Sequence, residues 1–175
     1  MKETRKITLS AIFLALGLVL PFLTMQIQSI GNMLLPMHIP VLLCGYVVGV
    51  PYSLIIGFIT PVLRSFLFGM PMMLNAICMA FELATYGAIA GIMHKKLSSK
   101  KWYIYISLII AMIAGRIVWG GAMYICMGIK GGAFTLAAFF AGAITNAIPG
   151  IIVQLVLIPI IVIMLEKAKV LKSKN

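Results

Sequence analysis

Apolar residues fall into six long blocks, near 7–24, 35–50, 52–69, 72–93, 102–127 and 135–165. An α-helix needs roughly 20 such residues to cross the hydrocarbon core of a bilayer, so each block reads as a span. The second is short, and the last is long enough to tilt or break. The blocks are separated at Gly31-Asn32, Val50-Pro51, Gly69-Met70-Pro71, a lysine-rich stretch and Gly131-Gly132, where glycine freedom or a missing proline N–H punctuates helices. The pattern predicts an all-α integral membrane protein, a compact bundle of six transmembrane helices filling residues 1–175 as a single domain.

Composition removes the soluble alternative. The chain is 63% hydrophobic and 10% charged, against roughly 45–50% apolar residues in soluble domains, and six spans leave no room for a separate soluble domain. The net charge of +11 would suggest nucleic acid in a soluble protein, but its placement points to topology instead. Lys2, Arg5 and Lys6 precede the first block, Lys95, Lys96, Lys100 and Lys101 fill one connector, and Lys167, Lys169, Lys172 and Lys174 form the tail. With a cytoplasmic N-terminus all three clusters are cytoplasmic, and Lys130 is the basic residue left in an outside connector. The positive-inside rule is then satisfied, whereas an odd number of spans would put a cluster outside. Both termini are expected in the cytoplasm, with lipid and not nucleic acid as the surroundings. The first block could imitate a signal peptide, but no small-x-small cleavage site follows Pro21 and five more blocks come after it.

Cys44, Cys78 and Cys126 lie in or at the edge of apolar runs with no CxxC spacing, which reads as packing and implies no metal. Nothing resembles a phosphate-binding GxxxxGK[ST] loop, so any ATP-driven activity needs partners. An intramembrane enzyme would need an activated nucleophile or a metal cluster, and the chain offers neither; no cofactor is expected.

Arg64, Glu82 and Arg116 lie inside the spans. A charge near the bilayer centre costs about 2.5–3.5 kcal/mol on insertion scales and therefore faces protein, a cavity or a partner. Threading the spans brings His38, Arg64, Asn75, Glu82, Arg116 and Asn146 to comparable depth, so that five helices could line one outward-facing pocket. Asn75 and Glu82, seven apart, share a helix face, as do Arg116 and Trp119, three apart. Trp119 and Tyr124 would add an indole and a phenol for the apolar part of a ligand. The competing reading is that Arg64 or Arg116 pairs with Glu82 only to pin helices together. It leaves one guanidinium unmatched, which favours an anionic or strongly hydrogen-bonding ligand. His38, between Pro36 and Pro40, could instead bond a carbonyl freed by those prolines. Met70, Met72 and Met73 could cover the pocket, and Pro61 and Pro149 fall inside otherwise good helices. On the first helix, Ala11 and Ala15 make a small-residue strip that another helix could approach closely.

These features resemble the substrate-binding subunit, or S component, of an energy-coupling factor (ECF) vitamin transporter. The likeness rests on size, six spans, a basic start, Ala11-x-x-x-Ala15, and the stretch Met37-His38-Ile39-Pro40-Val41-Leu42-Leu43-Cys44-Gly45 followed by Gly49 and Gly57. That stretch is similar to the start of the second helix in riboflavin-type members, where an aspartate commonly stands at the place of His38; the departure argues against riboflavin. The resemblance implies a high-affinity vitamin-binding subunit in a prokaryotic plasma membrane, with Ala11 and Ala15 against a transmembrane coupling subunit and two cytoplasmic ATPases supplying energy. Excess positive charge makes a pantothenate-like carboxylate the first expectation for the vitamin, and a pyridoxine- or hydroxymethylpyrimidine-like ring the next. A stand-alone proton-coupled secondary transporter, with Glu82 as its proton site, is the alternative.

Overall fold

The structure, a computed structural model, describes residues 2–24, 27, 31, 33–97 and 102–168. Lys100, Lys101, Lys169, Lys172, Lys174 and Asn32, used above for topology and turns, lie outside the described residues. The chain builds α1 (Glu3–Val19, continued by a 3-10 turn, Leu20–Thr24), α2 (His38–Val47), α3 (Val50–Phe68), α4 (Met73–Leu97), α5 (Tyr103–Ile129), α6 (Leu136–Ala143), a 3-10 turn (Thr145–Ala147) and α7 (Ile148–Lys167). Five stretches are long and apolar enough to cross a membrane: Glu3–Leu23, Val50–Phe68, Met73–Leu97, Tyr103–Ile129 and Leu136–Lys167. Between the first two sits the shorter apolar helix α2. The fold is an all-helical membrane bundle.

α2 has 10 residues, about 15 Å of helix at 1.5 Å per residue, half of a hydrocarbon core. Its limits are local. Leu35 holds a positive φ of 51° just before Pro36, and Gly49 closes the far side with φ 102°, a conformation that costs glycine little. What α2 lacks in length it recovers in burial: Val41, Leu42, Cys44 and Tyr46 are buried at the centre of the bundle, with α1, α3, α4 and α7 packed around them. The last stretch breaks. α6 ends at Ala143, and Pro149 falls in the first turn of α7, where an absent N–H interrupts nothing. Pro149 therefore starts a helix and does not interrupt one, contrary to expectation; the interior proline of α7 is Pro159, and Pro61 is interior to α3.

Close approach of backbones holds α3 against α4. A Cβ added at Gly57 would lie 2.6 Å from the Leu83 carbonyl, and one at Gly87 2.8 Å from Ser53 Cβ. Lipid is as apolar as leucine and drives no association, so this intimate van der Waals contact is what joins membrane helices. Outward faces are apolar, with Ile109, Ile113 and Ile117 exposed along one side of α5, as a lipid-facing surface requires. On α1, Ser10, Phe13 and Gly17 turn inward, Gly17 against Thr60, which leaves Ala11 and Ala15 exposed on the outer face.

Candidate functional site

α2, α3, α4 and α5 each carry a polar or basic group to the end of the bundle where α2 begins. On α4, Asn75, Met79 and Glu82 follow at spacings of four and three, one face of a helix. Arg116 and Trp119 face them from α5, Arg64 from α3 and His38 from the first turn of α2. These residues line a cavity of about 150 Å³ together with Pro21, Leu35, Pro36, Gly142 and Asn146. The space is an order of magnitude above the ~10–15 Å³ that a single buried water occupies.

Glu82 is 1% exposed and is approached by two basic groups on the same oxygen. Arg116 Nη1 stands 3.1 Å from Oε1 and His38 Nε2 stands 3.4 Å from it. Neither approach is aligned as a hydrogen bond: Glu82 Oε1, both nitrogens of His38, and Nε and Nη2 of Arg116 are buried without hydrogen-bond partners. Arg64, also buried, takes a different environment. Its Nη1 donates to the Leu18 carbonyl, and its guanidinium lies 4.9 Å from the Phe22 ring and 5.2 Å from the Phe68 ring, close enough for cation–π attraction. Two guanidiniums and one carboxylate thus line the same cavity, and the carboxylate pairs with Arg116.

Trp119 supplies the apolar wall. Its ring stacks on Phe139 with centroids 6.3 Å apart, meets Phe134 edge-on at 5.9 Å, and reaches Gly142, where a Cβ would lie 2.7 Å from the indole tip.

Of the eight expected ligand residues, the structure gathers His38, Arg64, Asn75, Glu82, Arg116, Trp119 and Asn146 around this cavity. It does not bring Tyr124 there. Five residues on from Trp119, Tyr124 is rotated by about 140° around α5 and is 67% exposed on the outside. Of the methionines expected to cover the pocket, Met70 lines it, joined by Met79, whereas Met72 and Met73 are exposed. Phe68, four residues on from Arg64, shares its helix face, but Phe22 beside Arg64 does not follow from the sequence pattern. Neither does Gln154 on α7, fully buried with both side-chain polar atoms unpartnered. A signal for Gln154 does exist: it is the one amide between Ile148 and Leu165. Among the described residues the three cysteines are free, and no group of three or more His, Cys, Asp or Glu side chains is placed to hold a metal ion.

A multi-pass helical bundle that lines a cavity with buried, unsatisfied charged groups has the architecture of a membrane protein that binds a small molecule. The sequence profile of the family described as the ECF transporter, substrate-specific component, matches residues 5–162, and the chain belongs to that family. No curated protein and no solved structure matches it. Membership makes the chain the substrate-binding subunit of a transporter and implies a complex with a coupling subunit and ATPases.

Proposed function

We propose that this chain captures a small water-soluble vitamin bearing a carboxylate, pantothenate-like in its chemistry, and delivers it to a coupling subunit driven by two cytoplasmic ATPases. A pyridoxine- or hydroxymethylpyrimidine-like ring against Trp119 is the next candidate. The observation that carries the reading is the charge of the cavity: its lining holds two guanidiniums, Arg64 and Arg116, and one carboxylate, Glu82, and Arg116 keeps two buried donor nitrogens free. A buried donor without an acceptor costs about 1–3 kcal/mol, and an anionic ligand would relieve that cost on entry. Arg116 and Arg64 orient the acidic end, Glu82, Asn75 and Asn146 exchange hydrogen bonds with the polar middle, and Trp119 packs against the apolar part. Mass spectrometry of the ligand retained on purified protein tests the class, and a neutral heterocycle overturns the carboxylate.

In this reading both termini lie in the cytoplasm of a prokaryotic cell and the cavity opens outward. The Lys95 and Lys96 end of α4 and the Lys167 end of α7 lie opposite the cavity, which supports that orientation. Exposed Ala11 and Ala15 form the strip on which the coupling subunit docks. Ala11→Trp and Ala15→Trp are expected to spare ligand binding and abolish uptake in a cell carrying the whole transporter; normal uptake would refute the strip. If proteoliposomes holding this chain alone accumulated the vitamin under an imposed proton gradient, a stand-alone proton-coupled carrier would replace the ECF mechanism.

A further inference from the structure

His38 is fully buried on the cavity, its ring edge-on to Tyr86 with centroids 5.1 Å apart. Neither ring nitrogen has a hydrogen-bond partner, and a buried polar group in that state calls for a ligand or a reason. The proton count is constrained by the neighbour. Nε2 lies 3.4 Å from Glu82 Oε1, and an ionised carboxylate only accepts. The contact is not aligned as a hydrogen bond, but at this distance the negative charge of the carboxylate attracts a hydrogen on Nε2 and repels a bare lone pair there, so Nε2 carries the hydrogen. In a neutral imidazole that makes Nδ1 an acceptor. Arg116, facing the same carboxylate from α5, is its opposite: Nε and Nη2 are donors with nothing to donate to. The site therefore holds an unfilled acceptor beside two unfilled donors.

Resting on the reading of the cavity as a capture site, we propose that His38 is a specificity-determining residue: its Nδ1 accepts a hydrogen bond from a hydroxyl or N–H of the ligand, whose carboxylate, carbonyl or hydroxyl oxygen lies against Nε and Nη2 of Arg116. The ligand class this selects is a hydroxy or amide compound that also carries an acceptor oxygen. A bare acid with a hydrocarbon body is disfavoured, because it leaves Nδ1 unpaired. A site built to hydrogen-bond a substrate group rejects the analogue without it far more strongly than an apolar pocket rejects a missing methylene.

The chain has two histidines, and the second is an internal reference. Tyr103 donates its hydroxyl hydrogen to Glu166 Oε1 at 2.6 Å, so His94 Nδ1, 3.0 Å from the same hydroxyl oxygen, must be the donor in that contact. The two imidazoles are thus opposite tautomers. The test is nitrogen NMR of the full chain, ligand-free and labelled on its imidazole nitrogens, with His38→Gln to assign the signals. The expected result is hydrogen on Nε2 of His38 and on Nδ1 of His94. An Nδ1–H tautomer or an imidazolium at His38 would overturn the proposal, whatever the ligand is. Pantothenate and pyridoxine, both hydroxyl-bearing, are then titrated. For whichever binds, His38→Phe is expected to lower affinity about tenfold or more, with His38→Gln, whose amide oxygen accepts, recovering part of the loss. Unchanged affinity in His38→Phe removes His38 as a selector and leaves the capture reading standing. If neither probe binds the wild type, the capture reading loses its named ligands, and the tautomer alone decides His38.

Discussion

At the end of the bundle where α2, α4 and α7 finish, Tyr46 donates to Ser107 at 2.9 Å, Tyr103 donates to Glu166 at 2.6 Å, and His94 contacts the Tyr103 hydroxyl at 3.0 Å. At the end where α2 begins, His38, Glu82 and Arg116 are as deeply buried, yet five of their polar atoms have no hydrogen-bond partner. Both clusters draw on helices distant in sequence, and both place a histidine near a carboxylate. They differ in that one is closed on itself and the other lines a cavity. A satisfied polar network rigidifies a fold, while an unsatisfied one is costly unless something else completes it. The first cluster is accordingly closed, and the second is the proposed ligand site.

That contrast breaks first at Arg116. Arg116→Ala leaves the Glu82 carboxylate buried without its closest cation, and loss of one partner of a buried pair costs about 3–5 kcal/mol. Thermal unfolding of the purified variant in detergent would show it, and a change too small to measure would mean that Glu82 does not depend on the pair. Arg64→Ala is next, with ligand affinity expected to fall at least about tenfold, or about 1.4 kcal/mol, while membrane insertion is retained. An unchanged titration curve would take Arg64 out of the site. At the satisfied end, Tyr103→Phe removes the hydroxyl that joins His94 to Glu166, worth about 1 kcal/mol of stability, with ligand affinity unaltered; a shift in affinity would erase the division between the two ends. Smallest of all, Tyr124→Ala on the lipid-facing side of α5 should change neither stability nor affinity beyond about 0.5 kcal/mol, and a clear loss of binding would return Tyr124 to the site.

Charge inside apolar runs is legible in a sequence because it is so costly in lipid: Arg64, Glu82 and Arg116 stand out from the residue order alone, and helical spacing adds Asn75 and Trp119. The basic clusters are legible for a related reason, since they follow from membrane insertion and not from packing. What escapes is whatever depends on a single backbone angle or on rotation about a helix. The positive φ at Leu35 shortens α2, and the turn at Thr145–Ala147 converts one long run into α6 and α7. The block lengths mark the second as short and the last as able to break, but no residue type there announces the backbone angle or the turn that does it. Tyr124 fails as a ligand candidate because residues at similar depth can point to opposite sides of a helix. Phe68 flanks Arg64 from four residues on along α3, a local spacing, but Phe22 reaches it from the turn after α1, a tertiary pairing that no local spacing encodes.

The most direct test is a structure of the ligand-bound protein. The account predicts a small molecule between His38, Glu82, Arg116 and Trp119, with an acceptor oxygen within hydrogen-bonding distance of Arg116 Nε or Nη2. A ligand bound elsewhere, or one in this cavity that leaves both of those N–H groups unpaired, would contradict it.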